Sequence, residues 1–220
     1  MKIAIVGAES TGKSALAVAL ADALAEATGL RVTAVPEWLR LWCQREGRTP
    51  RPDEQAAIAA ETQARIDAAA TAHDIVVCDT TALMTTVYSD LLFADRSLDT
   101  LAITHQRTMA LTLLTALDLP WVADGHQRDG PHVRGPVDDR VRALLIDHGL
   151  PWALVTGTGP ARLQSALDAV APLLRTRETP RRGLFSRLLD RNAAPEARAW
   201  SCEFCDDPDC EHALRTPAPR

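Results

Sequence analysis

Gly7-Ala8-Glu9-Ser10-Thr11-Gly12-Lys13-Ser14 follows the pattern G-x-x-x-x-G-K-[ST] at every fixed position. Upstream, Lys2 to Val6 (Lys-Ile-Ala-Ile-Val) is a short apolar, β-branched run of the kind that forms a buried parallel strand. Downstream, Lys13 to Ala27 is rich in Ala and Leu and free of Gly and Pro, which predicts a helix. A loop between a strand and a helix N-terminus suits an anion. Gly7 and Gly12 permit backbone angles that turn successive N–H groups inward, and the helix dipole favours negative charge there. Ser10, Thr11 and Ala15 complete the phosphate-binding set. Lys13 is expected on the β- and γ-phosphates of ATP, and the Ser14 hydroxyl on Mg²⁺. A purely structural Gly-rich turn has no use for Lys-Ser.

The chain of 220 residues suits one α/β domain with a small appendage. Hydrophobic residues make up 46%, enough for a core, and the net charge of −5 gives no general pull toward nucleic acid. No stretch is long or apolar enough to span a membrane, and the apolar N-terminus is too short for a signal peptide and is interrupted by Glu9. A cytoplasmic location is expected. Five cysteines in a reducing compartment argue for packing or metal chemistry rather than disulfides.

Further strands are predicted at 31–35, 74–78, 110–116 and 152–156. Helices are predicted at 38–45, 53–72, 81–93, 97–107, 138–148 and 160–174, with a loop over 120–136. Strands alternating with helices predict a P-loop NTPase fold, a mostly parallel five-stranded sheet with helices on both faces. Ligands of such sheets bind at the carboxyl ends of the strands, and Gly7, Glu37, Asp79 and Asp124 all fall just after a predicted strand.

Glu37, in Pro36-Glu37-Trp38-Leu39-Arg40, can accept a proton from a hydroxyl attacking the γ-phosphate; otherwise it is a helix cap. Trp38 and Trp42, four apart, present one face to an aromatic ligand or fill the core. Asp79 has the position of an acid that holds Mg²⁺, directly or through water, with helix capping as the alternative. Trp121 to Arg134 gathers Asp124, Arg128 and Arg134, and two arginines in a loop suit a lid that neutralises transferring charge; the alternative is a solvated loop. His126 and His132 lack a third metal ligand.

The stretch from Gly7 to Ser14, Glu37-Trp-Leu-Arg40, Gln63-Ala-Arg-Ile-Asp67, Asp79-Thr80 and Pro120-Trp121-Val-Ala-Asp124-Gly125 together resemble the ribosylnicotinamide kinase domain of NadR-type proteins, over about residues 1 to 175. The resemblance implies a kinase of the 5′-hydroxyl of nicotinamide riboside. It places Glu37, Trp38, Arg40, Gln63, Trp121 and Asp124 at the acceptor, and Lys13, Glu37, Asp79, Arg128 and Arg134 in catalysis. Three departures stand out. Asp79-Thr80-Thr81 replaces an Asp-Thr-Asp common in the family, and His126-Gln127 delays Arg128. The adenylyltransferase and helix-turn-helix parts of some relatives have no counterpart, so neither repression nor dinucleotide synthesis is implied. Two other readings share the P-loop: a kinase of another nucleoside, and a regulatory NTPase switch whose tail contacts a partner.

Residues 176–200 are rich in Arg, Pro and Ala and read as a linker, with Gly183 to Arg191 as a short amphipathic helix. Over 201–220, Cys202, Cys205, Cys210 and His212 supply three thiolates and an imidazole, the ligand set of a closed structural Zn²⁺ site; a redox-active or free thiol cluster is the alternative. Such a site without a core folds only around its ion, so protein purified without chelator is expected to carry about one zinc per chain. Elemental analysis of the wild type and of Cys205→Ser checks this: the variant loses the metal and keeps the P-loop chemistry. Absence of zinc together with freely reactive thiols rejects the site.

Overall fold

The computed structural model describes residues 1–122 and 130–178, with the side chains of 175–178 left aside. The predicted linker helix and the four tail ligands Cys202, Cys205, Cys210 and His212 lie outside the described residues. The chain divides into units at Met1–Arg175 and Thr176–Arg220, and the first is described here by itself.

In chain order the elements are β1 (Lys2–Val6), α1 (Lys13–Thr28), β2 (Val32–Val35), α2 (Trp38–Glu46), a 3-10 turn (Pro52–Glu54), α3 (Gln55–Ala72) and β3 (Ile75–Asp79). Then come α4 (Ala82–Phe93), α5 (Asp99–Gln106), β4 (Leu111–Thr115), a second 3-10 turn (Pro131–Val133), α6 (Arg134–Asp147), β5 (Trp152–Val155) and α7 (Gly159–Glu178). The five strands are all parallel, in the order β2-β3-β1-β4-β5. Side chains alternate across the sheet, and the alternation sorts the helices. Ile3 and Ile5 of β1, with Ile75, Val77 and Leu113, pack under Leu16, Leu20 and Leu24 of α1 and Ala166 and Val170 of α7. On the other face, Val6 and Leu114 meet Leu83 and Val87 of α4 and Val141 and Leu144 of α6, while Ala4, Val76 and Cys78 meet Ile66 of α3. The three central strands are therefore buried on both faces and apolar almost throughout, as a covered parallel sheet requires.

Two boundaries differ from expectation. α6 starts at Arg134, inside the stretch expected to be loop up to Pro136. Gly135 and Pro136 look like helix breakers, yet a proline in the first turn gives up no intrahelical hydrogen bond. α7 runs to Glu178 with Pro172 inside it. Among the described residues no helix is long and apolar enough to cross a membrane.

The strand order sets the site. β1 lies between β3 and β4, with Ile5 beside Asp79 and Val6 beside Leu114. The loop after β1 is thus flanked by the ends of β3 and β4, and β2 delivers Glu37 next to β3.

Candidate active site

Gly7 makes the close approach between β1 and β4: at φ 144° its Cα lies where a Cβ would stand 2.2 Å from Thr115 Oγ1. The Thr115 hydroxyl donates to Thr11 Oγ1 at 2.7 Å, and Thr11 donates to Ala8 O at 2.8 Å. Ser10 adopts a left-handed φ of 54°, uncommon for a residue with a Cβ, while its hydroxyl donates to Val122 O at 2.7 Å and accepts from Val122 N at 3.1 Å. Gly12, also left-handed, opens α1, and no side chain caps that helix. The first-turn N–H groups are therefore left for a ligand, the arrangement that binds phosphate. Lys13 Nζ donates to Ala8 O at 2.8 Å, folded back over its own loop.

A buried arginine from the far end of the chain clamps this loop. The Arg162 guanidinium donates to Thr11 O at 3.0 Å, Ala116 O at 3.1 Å, Gly157 O at 3.1 Å and Asp118 Oδ1 at 3.0 Å, tying the P-loop to the ends of β4 and β5.

Around Lys13 stand Glu37, Asp79, Glu9 and Arg40. Burial pushes the Lys13 pKa below the usual lysine value, with the three carboxylates opposing and Arg40 adding to the drop. Burial also pushes the Glu37 carboxyl above the usual glutamate value; Asp79 reinforces that, while Lys13 and Arg40 pull against it. The Glu37 side chain is 17% exposed, with Arg40 Nε 3.6 Å from its Oε2. Asp79, the last residue of β3, is 5% exposed, and its Oδ1 has no hydrogen-bond partner among the described residues. A buried carboxylate oxygen with no donor among the described residues fits the requirement for Mg²⁺ or a water on it.

Glu9, Lys13, Glu37 and Arg40 border a cavity of about 670 Å³, and Asp79 lies outside its lining. Its lining runs from Glu9 to Ala15 along the loop and α1, then through Glu37, Leu39, Arg40 and Cys43, the segment Thr49–Pro52 with Gln55, and Tyr88, Leu92 and Phe93 of α4. Gly12, Lys13, Ser14, Glu37 and Arg40 thereby line one space.

Other expected residues are placed elsewhere. Trp38 lies outside the lining: it packs on the cluster of Trp42, Cys43 and Ile58, with the Arg65 guanidinium 3.8 Å and that of Arg45 5.6 Å from its ring. Packing of α2 on α3 turns this ring away from the cavity. Gln63 also falls outside, its Nε2 donating to Leu101 O at 3.3 Å and joining α3 to α5. Trp121 is half-buried, outside the lining, and its Nε1 has no partner among the described residues. Arg134 is buried at the start of α6 and donates to Leu119 O at 2.9 Å, behind Gly12, whose Cβ position is 3.1 Å from Leu119 Cδ1. Asp124 and Arg128 lie outside the described residues. Thr81, where the resemblance has an acid, is the buried cap of α4: its hydroxyl donates to Gln106 Oε1 at 2.7 Å and accepts from Leu83 N at 3.3 Å. Glu9, Gln55, Tyr88, Phe93, Thr115 and Arg162 carry no motif that would single them out; only the P-loop position of Glu9 gives a signal.

The parallel sheet, the uncapped helix after Gly12 and the Lys13–Asp79 pairing of elements define a P-loop NTPase fold. A family model described as an AAA domain, AAA_28, matches residues 2–162, and the chain belongs to this family. No curated protein matches it. Among solved structures, NadR in complex with NR aligns with a TM-score of 0.63 at 20% identity, covering 78% of this chain and 50% of that one. The chain thus spans about half the length of that NadR chain, and the two share a fold. Thymidylate kinase from Ehrlichia chaffeensis aligns with a TM-score of 0.55 at 16% identity, covering 79% of this chain and 98% of that one.

Proposed function

We propose that this protein is an ATP- and Mg²⁺-dependent kinase that phosphorylates a nucleoside hydroxyl, with the 5′-hydroxyl of nicotinamide riboside as the leading acceptor. The observation that carries this reading is a carboxylate, Glu37, and the P-loop ammonium, Lys13, on one cavity that extends well beyond the phosphate loop. A protein that only hydrolyses ATP needs no such room for a second substrate.

In this reading the N–H groups of the loop and of α1 hold the ATP phosphates, and Lys13 neutralises the γ-phosphoryl as it transfers. Ser14 and Asp79 hold Mg²⁺, which spreads charge on the phosphates when bound. Glu37 takes the proton of the acceptor hydroxyl while that oxygen bonds to the γ-phosphorus and the bond to the bridging oxygen breaks, releasing ADP. Arg128 serves as the lid cation in this scheme, while Arg134, buried at the start of α6 and donating to Leu119 O, holds the chain behind the loop.

Charge favours a nucleoside over a nucleoside monophosphate. On the acceptor side, Arg40 faces Glu37 at 3.6 Å, and Arg51 faces Asp53 at 3.5 Å and Glu54 at 3.1 Å. The local cations are matched by carboxylates, so a dianionic acceptor gains little there, whereas a neutral or cationic ring nucleoside is accommodated beside Tyr88 and Phe93. The likeness to NadR bound to NR supports the choice of acceptor.

Incubation of purified protein with ATP, Mg²⁺ and a panel of nucleosides tests the proposal. Nicotinamide mononucleotide is the expected product of the riboside; ATP hydrolysis that no nucleoside alters, with no phosphorylated nucleoside, overturns it.

A further inference from the structure

One wall of the cavity is a continuous segment, Thr49 to Pro52, that leads through the Pro52–Glu54 turn into α3. Pro50 and Pro52 fix two φ angles and restrict the residues before them. One carboxylate holds the rest. Glu54 Oε2 accepts from Arg48 Nη1 at 2.7 Å and from the backbone N of Arg51 at 2.8 Å; Oε1 accepts from Arg48 Nη2 at 2.6 Å and from Arg51 Nη2 at 3.1 Å. Arg48 also donates to Thr49 O at 3.1 Å, with its guanidinium 4.9 Å from the ring of buried Trp42. Paired arginines hold the Glu54 pKa down at about 2, so this clasp stays intact across the working pH range.

The clasp fixes the start of α3, and the first residue of α3 is Gln55. Gln55 is 3% exposed, lines the cavity, and its amide makes no hydrogen bond among the described residues, with Oε1 fully enclosed. Buried amides are almost always paired, because leaving one unpaired forfeits its hydration without return. Among the described residues no group sets which end of the amide faces the cavity, so a half-turn about the last side-chain bond presents either a donor or an acceptor.

We propose that Gln55 is a specificity-determining residue that hydrogen-bonds a polar substituent on the base of the acceptor, a primary carboxamide or an exocyclic amine. The proposal rests on the nucleoside kinase reading and deepens it. A carboxamide matches best, because it offers a donor and an acceptor to an amide that presents either. The ring is held by the apolar and aromatic lining, and Gln55 discriminates between rings of like shape.

Calorimetric titration with matched pairs tests this: nicotinamide riboside against the pyridine riboside without its carboxamide, and adenosine against the purine riboside without its amine. The wild type is expected to bind the substituted member of its preferred pair about tenfold more tightly, the usual worth of one neutral hydrogen bond. Gln55→Leu removes that preference by weakening the substituted member alone, with ATP affinity unchanged; Gln55→Met, unbranched and of similar length, gives the same readout if the leucine variant fails to fold. Equal binding of both members by the wild type, or equal weakening of both in the variants, overturns the proposal. A wild type that discriminates the pair yet transfers no phosphoryl group upholds Gln55 and sinks the kinase reading instead.

Discussion

Lys13→Ala is expected to lower kcat/KM by roughly a thousandfold or more and to weaken ATP binding at the same time. Lys13 borders the same cavity as the loop and Glu37, and its ammonium already accommodates a dense acidic setting, since Glu37, Asp79 and Glu9 all favour its charged form against the cost of burial. Its Nζ donates to Ala8 O, a contact that a phosphate oxygen can replace. Arginine is not a substitute: a planar fork on a longer stem cannot take the place of a compact ammonium in a loop whose glycines admit the phosphate closely. The substitution has a second, diagnostic consequence. Lys13 pulls the Glu37 pKa down, so its removal lets burial and Asp79 push that carboxyl higher. Residual activity of Lys13→Ala should therefore rise with pH at higher values than in the wild type. Steady-state kinetics over a pH series, with ATP affinity measured separately, check both effects. A variant that binds ATP and turns over normally removes Lys13 from the chemistry.

The part of this site that is legible in the sequence is the part governed by local grammar. A strand, a Gly-rich turn and a helix are contiguous in the chain, so Gly7 to Ser14 declares itself. Because parallel strands all end on one edge, Glu37 and Asp79 also follow from counting strands. What depends on the order of strands or on how helices rotate is not legible. Nothing in the sequence says that β4 flanks β1, so Thr115 standing where a Cβ on Gly7 would fall came only with the fold. Arg162 reaches Thr11 O from α7, a contact between elements at opposite ends of the domain. The aromatic residues make the same point. Trp38 adjoins Glu37 in sequence and looks like the ring a ligand would meet, yet α2 packs so that Arg65 covers it, and Tyr88 and Phe93 of α4 line the cavity instead. Gln55 is an ordinary residue for a helix start; only its burial, with no partner among the described residues, sets it apart.

Glu37→Gln carries the second large effect: phosphoryl transfer is expected to fall by roughly two to four orders of magnitude while ATP binding is kept. In the proposed scheme the loop, α1 and Lys13, rather than Glu37, hold the ATP phosphates, and glutamine preserves the volume of the side chain. The amide cannot take a proton from the acceptor hydroxyl. The pH profile separates a base from a group that only positions. A base works deprotonated, and burial raises the Glu37 pKa above the ordinary 4.5, so wild-type kcat/KM should rise with pH through that elevated value. At the alkaline end it should fall as Lys13, whose pKa lies below the ordinary 10.5, loses its charge. Glu37→Gln should abolish the acid limb and move the alkaline one to lower pH, because the carboxylate no longer supports the charge on Lys13. Glu37→Asp, which keeps a carboxylate one methylene shorter, should restore the acid limb with only part of the rate, since proton transfer depends on reach. If the acid limb persists unchanged in Glu37→Gln, the titrating base is another group and Glu37 only positions the acceptor.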